Sequence, residues 1–184
     1  TSATYFGEAP TTHSGGLFSS GSVDIKLVDI ERVEVLRGPQ GTAFGNSSLG
    51  GAVRTIPAAP NLEGLEARVA ASYSVTAGTG GDNHMVQGVA NIPLLKDRLA
   101  IRAVAYQFAE SGFYRNMAGS DSAFRAAATQ FGAQTLDFAR DEQEVGAATF
   151  TGGRLAALLK LNERMTLTLS YLSQKTETDG MALT

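Results

Sequence analysis

The residues best placed to do chemistry lie between Ile30 and Pro57, where Arg37 and Arg54 bracket a run of glycines. Gly45 to Gly50 has the spacing of a phosphate-cradling loop, in which backbone amides wrap an anion while a lysine and a hydroxyl complete the site. Gly51 stands where the lysine is needed and Ala52 where Ser or Thr should be, and the GxGxxG spacing is absent. Phosphate binding is therefore not supported. His13 and His84 each stand alone, with no carboxylate or second histidine at ligand spacing, and there is no cysteine. Disulfides and thiolate metal sites are excluded. Asp137, Asp141, Glu142 and Glu144 cluster with no nucleophile or histidine nearby. That cluster reads as a solvated charged face, the alternative being a cation contact. No catalytic constellation appears, and neither enzymatic activity nor a cofactor is expected.

The glycines serve the backbone instead. Glu31 to Arg37 places charges on alternate positions, as a strand does, and stops at Gly38-Pro39. Two turns follow, Gly38 to Gly41 and Gly45 to Gly51, before the apolar run Ala52-Val53-Arg54-Thr55-Ile56. Strand, turns, strand is the reading, with glycine where the chain must reverse or approach a neighbour closely. Taken alone, this also fits a generic β-rich domain with a glycine-rich hairpin.

Composition narrows the class. The 184 residues carry 15 basic and 18 acidic side chains, a formal charge of −3, and no basic stripe, so nucleic-acid binding has no electrostatic footprint. No apolar run approaches the ~18 residues of a spanning helix. Spanning β-strands give no such run, because lipid-facing and lumen-facing residues alternate along them. From Leu65 onward the chain alternates in that way. Strands are expected at Leu65 to Thr76, up to Leu94, from Arg98, at Gly153 to Asn162 and at Met165 to Gln174. Arg68, Arg98, Arg102, Arg154 and Lys160 each fall opposite an apolar row. Tyr106 and Phe108 share the arginine parity, which a bulge or a barrel rim would explain. The connections run medium, short, long, short, the asymmetry of outer-membrane barrels. Within the long excursion, Ser111 to Phe150, the steps between Phe124, Ala128, Phe131 and Phe138 fit a short helix capped by Ser120 or Asp121, or else an irregular alanine-rich loop. His13 to Ser22 reads as a flexible loop.

The order of residues in Ile30 to Pro57 resembles the plug-domain signature of TonB-dependent outer-membrane receptors. Asn91-Ile92-Pro93-Leu94, Asp97 to Arg102, Gly112 to Asn116, Gly153-Arg154-Leu155 and Leu167 to Tyr171 resemble the opening barrel strands of the same receptors. The resemblance implies a β fold: part of a plugged transmembrane antiparallel barrel. Residues 1–60 would be the C-terminal part of the plug and 61–184 about five up-and-down strands. It also implies a plug motif of Arg37, Gly38, Pro39, Gly41, Gly45, Gly50, Gly51 and Arg54, with Arg37 helping to lock plug to barrel. The implied function is energised uptake of a scarce large ligand, a ferric siderophore or similar metal chelate, in the bacterial outer membrane. Its partners would be the TonB complex, the ligand and outer-membrane lipid. The chain is expected to be a fragment whose TonB-contacting segment lies elsewhere. A ligand-binding or adhesin-like β module without energised transport is the alternative.

Overall fold

Alternation of side chains builds the first sheet. Strands β3 (Ile30–Arg37) and β4 (Gly51–Pro57) pair antiparallel, from Ile30 opposite Pro57 to Arg37 opposite Gly51, with a register shift between Ile30 and Arg32. On the other side of β4 lies the short β1 (Ala3–Phe6), parallel to it, with Ala3 opposite Ala52 and Phe6 opposite Thr55. Gly7 at φ 60° turns the chain into β2 (Ala9–Pro10), which completes a four-stranded sheet in the order β2-β1-β4-β3. Ala3 and Ala52 are both buried, so the small side chains meet at its centre.

The computed structural model describes residues 3–11, 24–39, 41, 50–78, 80–130 and 141–179, in two compact units. One comprises Thr1–Arg68, Val89–Val104 and Arg154–Leu172, and the other Val69–Gly88, Ala105–Gly153 and Ser173–Thr184. The expected loop His13 to Ser22 lies outside the described residues.

Five long strands form a second sheet in the order β11-β10-β7-β6-β5. They are β5 (Glu66–Val75), β6 (Asp82–Leu95), β7 (Leu99–Glu110), β10 (Ala148–Asn162) and β11 (Met165–Thr178). Every second connection is tight, and so short a link joins only antiparallel neighbours. At Lys96 to Arg98 the Arg98 amide donates to Leu95 O, with Asp97 at φ 58°. At Asn162 to Arg164 the Arg164 amide donates to Asn162 Oδ1. The five expected strands are all present, in the expected sequential order.

The long excursion has its own structure. Strands β8 (Tyr114–Met117) and β9 (Asp141–Val145) pair antiparallel, and helix α1 (Ser122–Gln130) lies between them in sequence. Asp121 Oδ1 accepts from the Ala123 and Phe124 amides, which makes it the helix cap that the sequence suggested. Phe131, Asp137 and Phe138 lie outside the described residues. Strand β10 begins five residues before the expected Gly153. Gly152 does not break it, because the glycine has a packing partner described below.

Which face of the long strands is buried decides what kind of sheet this is. The arginine parity is the covered one: Asn91 is 0 % exposed, Arg154 5 % and Arg102 6 %, beside Ala100, Val104, Tyr106 and Ala156. The apolar parity is bare, with Val69 at 80 %, Tyr171 at 71 % and Leu169 at 63 %. Tyr106 therefore belongs to the covered face by plain alternation, with no bulge. A water-soluble sheet would bury the other side, since each large aliphatic left in water forgoes about 1.5–3 kcal/mol. Among the described residues no helix is long and apolar enough to cross a membrane.

Candidate functional site

The covered face is built around one carboxylate. Asp29 precedes β3 at φ 56°, a left-handed conformation that aspartate tolerates better than most residues. Its side chain is 1 % exposed. Arg102, on β7, grips it as a fork: Nε donates to Oδ2 and Nη2 to Oδ1, both at 2.7 Å. Arg154, on β10, donates from Nη2 to Oδ2 at 2.8 Å, and Arg68, on β5, from Nη2 to Oδ1 at 3.2 Å. Each oxygen thus accepts two bonds, which fills the roughly four lone-pair positions of a carboxylate. Burial alone would raise the Asp29 carboxyl. The hydrogen bonds and charge of Arg102, helped by Arg154 and Arg68, outweigh it and hold the group below the usual carboxylate range.

Further bonds tie the same place together. Arg154 Nη2 also donates to the Ala58 carbonyl at 2.9 Å, and the Ala58 amide donates to Asp29 O at 2.9 Å. The root of the β3–β4 hairpin is thereby fastened to three strands of the long sheet. Arg102 Nη1 reaches Glu66 Oε2 at 3.1 Å, and Asn61 Nδ2 donates to the other oxygen of Glu66 at 3.1 Å. Asn91, on β6, fixes the connection from β4 to β5. Its Oδ1 accepts from the Asn61 amide at 2.8 Å, while Nδ2 donates to Asn61 O at 2.9 Å and Gly64 O at 2.8 Å. A fully buried amide is held only where its donors and acceptor are met, and here they are.

The residues expected to form the plug motif fall elsewhere. Arg37 and Pro39 are exposed at the far end of β3, with Gly38 between them at φ 84°. Gly41 and Gly50 are exposed, and Gly45 lies outside the described residues. Gly51 carries a definite structural demand: its φ is 130°, and a Cβ there would sit 2.3 Å from Leu36 O. Arg54 works inside the first sheet. Its Nε donates to Gly7 O at 2.9 Å, Nη2 pairs with Glu8, and Nη1 lies 3.5 Å from Glu34. It therefore ties β4 to the β1–β2 turn and to β3.

Sequence reasoning missed Asp29 and the role of Asn91. A usable signal existed for the first: Arg68, Arg102 and Arg154 share one parity on three strands, and stacked guanidiniums need an acid from elsewhere. In the second unit the Tyr106 hydroxyl donates to Gln174 Oε1 at 2.8 Å, and its ring meets Phe108 edge-on at 5.8 Å. Gly152 makes room for that ring, since a Cβ would come within 2.6 Å of Tyr106 Oη. Asp141, Glu142 and Glu144 lie exposed along β9, where Asp141 accepts from the Ser120 amide at 3.0 Å. Bonds to Ser120 are the main reason its carboxyl sits below the usual range. Among the described residues, no group of three His, Cys, Asp or Glu side chains could hold a metal ion.

Comparison with known proteins agrees with this layout. Residues 6–52 match the family model of the TonB-dependent receptor plug domain. The fold is similar to that of the ferripyoverdine receptor of Pseudomonas aeruginosa, at TM-score 0.65 and 19 % identity, over 95 % of this chain and 19 % of that one. It is similar to the ferric enterobactin receptor of the same organism, at 0.66 and 16 %, over 96 % and 25 %. The siderophore receptor PirA of Acinetobacter baumannii gives 0.67 and 16 %, over 96 % and 24 %. The chain thus spans about a quarter or less of the length of these receptors, and at such identities the likeness concerns the fold, that of plugged β-barrels. Plug match, polar covered face and bare apolar face agree: residues 6–52 carry the plug domain of TonB-dependent receptors, and the chain has the fold of part of a plugged outer-membrane β-barrel.

Proposed function

We propose that this chain supplies part of the plug and the first wall strands of a transporter that takes up a scarce large ligand. A ferric siderophore or similar metal chelate is the proposed ligand, with uptake energised through TonB. Residues 1–60 act as the C-terminal part of the plug, and 61–184 as N-terminal strands of the barrel. The observation that carries this reading is Asp29, a buried carboxylate from the plug-like segment, seated against arginines of the polar face. A segment held on the polar side of a sheet whose other side is bare and apolar suits a plugged lumen in lipid. The siderophore receptors with similar folds support the ligand class. Arg37, Gly38, Pro39, Gly41, Gly45, Gly50, Gly51 and Arg54 are proposed to form the turn and gating region, with Arg37 meeting carboxylates of the wall.

The test is uptake of labelled ferric siderophores by iron-starved cells with and without the full gene product, in strains with and without TonB. Uptake that needs both is expected. Binding at the cell surface without TonB-dependent accumulation would favour a receptor or adhesin that does not transport. Arg37→Ala in the same cells should loosen the plug and alter uptake while leaving barrel assembly intact. Wild-type uptake together with wild-type protease resistance of the plug would refute the role given to Arg37.

A further inference from the structure

We propose that Arg68, Arg102 and Arg154 form a carboxylate-binding cradle, that Asp29 is its built-in occupant, and that a small free carboxylate takes the same place once Asp29 is removed. All three guanidiniums belong to strands of the long sheet, whereas Asp29 sits on the segment leading into β3. The cradle therefore remains when its occupant leaves.

Charge drives the exchange. Three guanidiniums face two carboxylates, Asp29 and Glu66, so one positive charge is left over even in the closed arrangement. Without Asp29 two would be left over, since Glu66, whose ion pair among the described residues is with Arg102, offsets one of the three. Arginine cannot shed its proton to relieve this, so an anion has to arrive from outside. The side chains of Arg102 and Arg154 are 7 % and 3 % exposed, a depth at which a charge-assisted bond is screened far less than at the surface. Donor capacity is also spare: Arg154 Nε is buried with no acceptor. The fork geometry of Arg102 and the flanking donors of Arg154 and Arg68 suit a planar, two-oxygen anion better than a spherical one.

The backbone at Asp29 makes the test clean. Glycine adopts φ 56° without strain, so Asp29→Gly removes the carboxylate, leaves the chain path unstressed and opens a space the size of acetate. The full gene product in detergent would be melted in sodium acetate and in sodium chloride of equal ionic strength. Asp29→Gly should melt below wild type in chloride and recover most of that loss in acetate. Wild type and Asp29→Asn, whose side chains still fill the cradle, should not respond to the exchange. Adding Arg154→Met to Asp29→Gly should abolish the recovery. An equal acetate response in wild type or Asp29→Asn overturns the proposal, as does an Asp29→Gly protein that melts alike in both salts. Should Asp29→Gly fail to assemble in chloride, assembly yield in acetate gives the same reading, and failure in both overturns it. The measurement involves neither uptake nor TonB, so its outcome is independent of the transport reading.

Discussion

A carboxylate whose acceptor positions are all taken by guanidiniums holds them as much as they hold it. Truncating it leaves the buried Arg154 without a carboxylate and Arg102 with only the half-exposed Glu66. Removing one partner of such a buried pair costs about 3–5 kcal/mol. We predict that Asp29→Ala destabilises the full gene product by that order in chloride, read from denaturant midpoints in detergent, and that Asp29→Asn, which removes the same charge and turns an N–H donor toward the guanidiniums, is destabilised as well. The pH dependence follows from the sign of the shift. The Asp29 carboxyl is depressed in the folded protein, so its contribution is complete above the ordinary aspartate pKa of about 4 and is lost as pH falls further. Plug protease resistance should accordingly stay flat from neutrality down to about pH 4 and fall below it in wild type, with no such step in Asp29→Asn. A step near the ordinary histidine range would show that another group controls the plug. Little of this was legible in the chain. The parity of the three arginines was plain, but a lone aspartate ahead of a strand carries no periodic signal. Its partners lie 39, 73 and 125 residues away.

At the scale of elements the sequence was far more informative, because period-two alternation over ten residues leaves few alternatives. It predicted five strands and tight alternate turns, which the structure has, and left a capped helix open beside an irregular loop, of which the structure has the helix, over Ser122–Gln130. Where it went astray, tertiary packing overrode a local cue. The strand expected from Gly153 starts at Ala148, and Gly152 sits mid-strand beside the Tyr106 ring. The apparent misfit of Tyr106 and the early start of β10 are thus one feature seen from two strands. The hairpin of β3 and β4 depends in turn on Gly51. A methyl group there would meet the Leu36 carbonyl, a backbone atom with no freedom to retreat, at a φ that alanine rarely adopts. Gly51→Ala should therefore expose the segment between Ile30 and Pro57 to protease while the wall strands remain folded, as seen by heat-modified mobility on gels. Equal digestion of both would show that the two sheets fold as one. The excursion is the opposite case, an element with its own ladder and its own helix cap. Deleting it from the full gene product should leave the wall assembled and lower uptake of the native ligand, since loops on a rigid scaffold usually carry recognition.

For the molecule taken as a whole, the sheet order sets the last expectation. Strands β5 and β11 are the two edges of the long sheet, with ten and fourteen residues respectively. About half the backbone N–H and C=O groups of an edge strand point away from its neighbour, so on the order of ten groups per edge lack a ladder partner. In hydrocarbon each such group costs several kcal/mol, and two edges together cost tens of kcal/mol. That exceeds the ~5–15 kcal/mol that holds an ordinary domain together. In water the edges can be hydrated, but the bare row of Val69, Leu155, Leu167 and Leu169 then stands beside them, an adhesive surface next to an open template. Neither solvent suits the 184 residues by themselves. Expressed alone, they should aggregate or require detergent, and should not insert into vesicles as a monomer. Size-exclusion chromatography with light scattering, with and without detergent, measures this directly. A monodisperse, cooperatively unfolding monomer in plain buffer would show that the apolar face finds cover within this chain, and the assignment of that face to lipid would then fail.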